Sequence, residues 1–122
     1  MNFKNNKGAA LLELALTLLL LLTIVFGIFE YGRVMYITNT LNHAAREGAR
    51  RAAVTPPPID INETVENSIP FDKDGIAITT STSTPASGES VTVTVVLPFQ
   101  GLTGLVPVPD SLRGEATMRY EL

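Results

Sequence analysis

The sequence predicts an α+β protein. A long N-terminal transmembrane helix continues into an extracytoplasmic amphipathic helix, and a small head with a roughly three-stranded antiparallel sheet follows. Three patterns carry this expectation. The run Gly8 to Phe29 is apolar, and no charge occurs from Leu14 to Phe29. A helical pattern then continues without Pro as far as Pro56. Beyond Gly75, β-formers alternate with polar residues in three separate stretches.

The run Gly8–Phe29 holds 22 residues. As a helix it reaches about 33 Å at ~1.5 Å per residue, enough for a hydrocarbon core of ~30 Å. Leu dominates it on every face, which suits lipid better than an amphipathic surface. Lys4 and Lys7 precede it. Basic residues before an apolar span stay in the cytoplasm, so the N-terminus is expected inside and the C-terminus outside. A cleaved signal peptide fits less well: the run exceeds the usual ~7–15 residues, and no Ala-x-Ala site follows it. Glu13 stands inside the run. An ionisable group in a membrane segment is costly and marks a functional hypothesis.

Composition narrows the partners. The 122 residues allow the span and one small head. There is no Cys, so neither a disulfide nor thiol chemistry is available. Residues 55–122 hold nine acidic and three basic residues, a net −6. An acidic head argues against nucleic acid as a partner. The expected organisation is a basic leader 1–8, a transmembrane helix 9–29, an extracytoplasmic helix 30–54, a Pro linker 55–58 and a head 59–122.

In the second helix, Tyr31, Val34, Met35, Leu41, Ala45, Gly48, Ala49 and Ala52 recur at three- and four-residue steps and predict one apolar stripe. Its far end is small, so another backbone can come close there. Glu30–Arg33 and Glu47–Arg50 have the spacing of surface ion pairs, which contribute about 0.2–1 kcal/mol each. Tyr31 and Tyr36 suit a headgroup zone. Arg46, Arg50 and Arg51 form either a solvated face or a contact for anionic lipid or an acidic partner. His43, the single histidine, is expected on the exposed helix surface.

Thr55-Pro56-Pro57-Pro58 stops the helix. Residues 59–69 predict a short helix capped by Asp60 or Asn62, with Ile61, Val65 and Ile69 on one face. The cluster 71–75 resembles part of a calcium loop but lacks the remaining ligands, and is read as a turn. Ile76 to Thr82 and Val91 to Pro98 predict strands. In the third strand, Leu112, Ala116, Met118, Tyr120 and Leu122 alternate with charged and polar residues, which places Met118 and Tyr120 in the core. The apolar face of such a sheet needs a cover, supplied by helix 30–54 or by the short helix 59–69.

Three motifs occur in order: Gly8-Ala9-Ala10-Leu11-Leu12-Glu13, then Glu30-Tyr31-Gly32-Arg33, then Ala44-Ala45-Arg46-Glu47-Gly48-Ala49-Arg50. The first, behind a basic leader, resembles the processing site of type IV pilin-like precursors. It can also be read as a Gly at a helix start with a Glu near the positive helix end. Together the three resemble the TadE-like family of tight-adherence pilus pseudopilins, over about Lys7 to Val54. Members commonly carry a Pro near the position of Leu19, and its absence here implies an unkinked helix.

The resemblance implies cleavage between Gly8 and Ala9 by a prepilin peptidase. It also implies that Glu13 pairs with the new α-amine of Ala9, on its own or a neighbouring subunit, during assembly. Glu30, Tyr31, Gly32, Arg33, Ala45, Arg46, Glu47, Gly48, Ala49 and Arg50 are the remaining family-motif residues. The implied partners are the membrane, other pilin-like subunits and the pilus assembly platform. The implied location is a bacterial inner (cytoplasmic) membrane, crossed once, with entry into a pilus left open. No catalytic constellation, metal cluster or cofactor motif is present in the sequence, so an enzyme is not expected. The other class of function that fits is a signal-anchored envelope protein whose head binds a ligand or the cell wall.

Overall fold

The computed structural model describes residues 3–122, with side chains from residue 6 onward. Of the leader 1–8, Met1 and Asn2 lie outside the described residues, as do the side chains of Phe3, Lys4 and Asn5. Five elements occur in order: α1 Phe3–Ala53, α2 Asn62–Asn67, β1 Ala77–Thr80, β2 Ser90–Pro98 and β3 Ser111–Arg119. The fold is α+β with one long apolar N-terminal helix and a three-stranded antiparallel sheet, as the sequence predicts. The chain divides into two compact units. The first holds α1 up to Arg33 with Gly101–Pro107; the second holds Val34–Gln100 with Val108–Leu122.

α1 is 51 residues long. It ends before the prolines by tightening: the amides of Val54 and Thr55 donate to the carbonyls of Arg51 and Ala52 at 3.3 and 3.4 Å. Arg50 and Arg51 lie in the last turn, where cations complement the helix dipole. In the first unit its side chains from Leu11 to Phe29 stand open. None of its most apolar stretch is buried among the described residues.

In the second unit the strands run in the order β1-β2-β3. Val91, Val93, Val95 and Leu97 of β2 point to one face and are buried, while Thr92 and Thr94 point to the other. That alternation is the period-two pattern of a half-covered sheet. The cover comes from both candidates named by the sequence: Ile37, Leu41, Ala44, Ala45, Ala49 and Ala52 of α1, and Ile61, Val65 and Ile69 around α2. The small residues of α1 let the sheet approach its backbone. A Cβ on Gly48 would stand 2.6 Å from Val65 Cγ2 and 3.3 Å from Val93 Cγ1. A Cβ on Gly114 of β3 would fall on the Leu41 carbonyl of α1.

The open face of the sheet is polar. Thr92 pairs with Thr117 and Thr94 with Glu115 in the β2–β3 register. Their hydroxyls and carboxylate bond across the strands at 2.8 and 3.3 Å. Arg113 pairs with Glu115 and holds its carboxyl below the usual range, chiefly through the hydrogen bond and then through charge. The 71–75 cluster is a turn, with the Asp74 amide donating to Asp72 Oδ1 and Gly75 at φ 75°.

Several expectations need correction. Met118 is 38% exposed and Leu122 56%, because pairing in β3 ends at Arg119 and the cover does not extend over the strand end. Tyr120, in contrast, is buried, and its amide donates to the Glu89 carbonyl. Tyr31 and Met35 are exposed, and the buried stripe of the second unit passes through Ile37 and Ala44 instead. Neither Asp60 nor Asn62 is the cap of α2. Ile61 occupies that position without a side-chain bond, and Asp60 Oδ1 accepts from the Asn62 amide.

Candidate functional site

The sequence-derived site residues lie along α1 and are best taken from its start. Gly8 and Ala9 are exposed. A Cβ on Gly8 would meet nothing within 4 Å. Gly is among the poorest helix formers, costing about 1 kcal/mol relative to Ala. No packing within the described chain explains its presence at position 8. Glu13 is also exposed, one turn and a half further on.

The polar side chains around Glu13 are treated differently. Thr17 Oγ1 donates to the Glu13 carbonyl and Thr23 Oγ1 to the Leu19 carbonyl, both at 2.9 Å. A hydroxyl satisfied four residues back is compatible with lipid, where an unpaired donor is expensive. Glu13 has no such side-chain bond to backbone among the described hydrogen bonds. The cost of a lone carboxylate in lipid falls when a cation pairs with it.

At the other end of the run the structure departs from the sequence reading. Glu30 and Arg33 do pair, at 3.7 Å, but not as an exposed surface pair. Glu30 is 1% exposed, the one buried charged residue among those described. Its Oε1 accepts the Leu102 amide at 3.0 Å. Removing a charged acceptor from this part-buried bond costs more than losing a surface pair, about 1–3 kcal/mol. Leu102 belongs to the β2–β3 connection, 72 residues away in sequence. No local signal in the sequence ties it to Glu30. Tyr31 is exposed, and a Cβ on Gly32 would meet nothing within 4 Å.

The third motif divides by size. Ala45, Gly48 and Ala49 are buried in the second unit, whereas Arg46 and Arg50 are exposed. Glu47 and Arg50 pair at 3.2 Å. Glu47, Arg50, Arg51, Val54 and Thr64 line an open groove of about 360 Å³. His43 is exposed. Among the described residues no three His, Asp or Glu side chains gather in a way that would hold a metal.

The arrangement defines a class: one helix long and apolar enough to cross a membrane, followed by a small α+β head. Residues 8–50 match the family described as TadE-like protein, the family that the three motifs resemble. No curated protein and no solved structure matches the chain. The matched segment contains all three motifs and stops before the head.

Proposed function

We propose that the protein is a minor pilin-like subunit for assembly of a tight-adherence pilus, acting structurally through helix–helix packing. The single observation that carries this reading is the family match over residues 8–50, which holds the three motifs in order on one helix. In this reading a prepilin peptidase cuts between Gly8 and Ala9, and α1 stays in the inner membrane until it joins other pilin-like subunits. The open surroundings of Gly8 support a glycine kept for an approaching enzyme, since backbone without a side chain can be reached closely. Glu13 then pairs with the α-amine of Ala9, its own or a neighbour's. A carboxylate in low dielectric makes that contact specific in register, because a misplaced subunit leaves it unpaired. The proposed organisation is the leader 1–8, span 9–29, outer helix 30–54, linker 55–58 and head 59–122.

Two variants test it. Gly8→Val should remain full length and membrane-inserted. Glu13→Val should be inserted and cut, yet fail to co-purify with other pilin-like subunits. A hydrophobic residue relieves the cost of burying the carboxylate, so loss of span stability does not explain such a failure. Normal co-purification of Glu13→Val would reject the assembly role, and a shortened Gly8→Val would reject the processing site. Both results together would leave the signal-anchored envelope protein.

A further inference from the structure

We propose that the loop Gly101–Pro107 is a second membrane-contacting element, with Leu102 and Leu105 seated in the lipid interface beside the end of the α1 span. The proposal rests on reading α1 as membrane-spanning. Four observations in the first unit converge on it. First, the loop lies along the last turn of the apolar run. Val106 Cγ2 is 3.6 Å from where a Gly27 Cβ would stand, and the Leu102 amide is 3.0 Å from Glu30 Oε1. Second, Leu102 and Leu105 are 65% and 61% exposed, as open as Ile28 and Phe29 on the neighbouring helix turn. The apolar surface of the span therefore continues onto the loop. Third, Gly101–Pro107 carries no charge, although residues 55–122 have a net −6. Loops in water are usually polar at their tips, and a pair of open leucines there matches an apolar surrounding. Fourth, two of the loop's amides have side-chain partners. Leu102 N donates to Glu30, and Leu105 N donates to Thr103 Oγ1 at 3.3 Å. Backbone near lipid requires such pairing.

This placement gives Glu30 a role. A carboxylate at the end of an apolar span is covered by the loop rather than by lipid, and Arg33 beside it supplies the counter-charge while reaching outward. Glu30 is thus a positioning residue for the loop. Lipid is the occupant that the continuity with the span favours.

The absence of Cys makes single-Cys labelling clean. The full chain is reconstituted in vesicles of phosphatidylcholine and phosphatidylglycerol containing brominated lipid. Leu20→Cys, Leu105→Cys and Asn67→Cys each carry an environment-sensitive fluorophore. The expected result is a blue-shifted, lipid-quenched label at positions 20 and 105 and neither effect at 67. Quenching at 20 with position 105 behaving like 67 would overturn the proposal and leave the span intact. No quenching at 20 would overturn the span and the proposal with it. A label at 105 that is shielded without being quenched, and is freed when the protein is diluted with lipid, would indicate a second copy of the chain and overturn the lipid contact. Adding Glu30→Ala should abolish quenching at 105 and leave 20 unchanged. Glu30→Gln, whose amide oxygen still accepts from Leu102, should restore it. Equal quenching in Glu30→Ala would overturn the positioning role.

Discussion

At Gly114 a hydrogen stands where a methyl group would strike the Leu41 carbonyl. The obstacle is helix backbone, which cannot rotate aside as a side-chain end does. Gly114→Ala should therefore destabilise the head by about 3 kcal/mol or more, the upper end of overpacking effects. Thr117→Ala, on the open face, should cost about 1 kcal/mol or less. Thermal melts of the two variants in detergent check this, and coincident midpoints would show that β3 does not press on α1. Gly114 was not legible in the sequence. In an alternating strand a glycine reads as a gap in the pattern, and its purpose exists only with the partner backbone in view. Glu30 misled for a related reason. Charge assigns a residue to the surface by default, and the acceptor role appears only when the Leu102 amide arrives from far along the chain.

The elements themselves were read more securely than their faces. Taking Glu30 as exposed started the stripe at Tyr31 and included Met35. Steps of four, three and four from Glu30 reach Val34, Ile37 and Leu41, of which Ile37 and Leu41 are buried and Val34 partly so. The small residues Ala45, Gly48, Ala49 and Ala52 were found because both phases agree there. In the sheet, period two predicted the inward side of β2 and β3 correctly, but periodicity does not say where cover ends. Val93 sits at the centre with 0% exposure, whereas Met118 lies at the strand end. Val93→Asp should cost about 4 kcal/mol or more, since it buries an unpaired charge. Met118→Asp should cost about 1 kcal/mol or less because its carboxylate reaches water. Protease sensitivity of the two variants separates them. Equal sensitivity would contradict the packing described for β3.

At the scale of the whole molecule, one helix is long and apolar enough to cross a membrane. The span was the most legible feature of the sequence, because a mostly apolar run of 22 residues has few other uses. The Gly101–Pro107 contact with the same helix was not legible, since its leucines lie in a stretch punctuated by Gly and Pro without regular structure. With Lys4 and Lys7 before the span, a reporter fused after Leu122 should be active only outside the cytoplasm. Activity of that fusion in the cytoplasm would reverse the orientation and remove the head from any extracellular assembly.

A pilin-like role and a plain membrane anchor differ first in the fate of the leader. The most direct measurement is the N-terminal sequence of the protein extracted from membranes of cells that carry the prepilin peptidase. The pilin-like role requires a chain beginning Ala9-Ala10-Leu11-Leu12-Glu13, with the leader gone and Glu13 the fifth residue from a free amine. A chain that still carries the leader through Lys7 and Gly8 would contradict it.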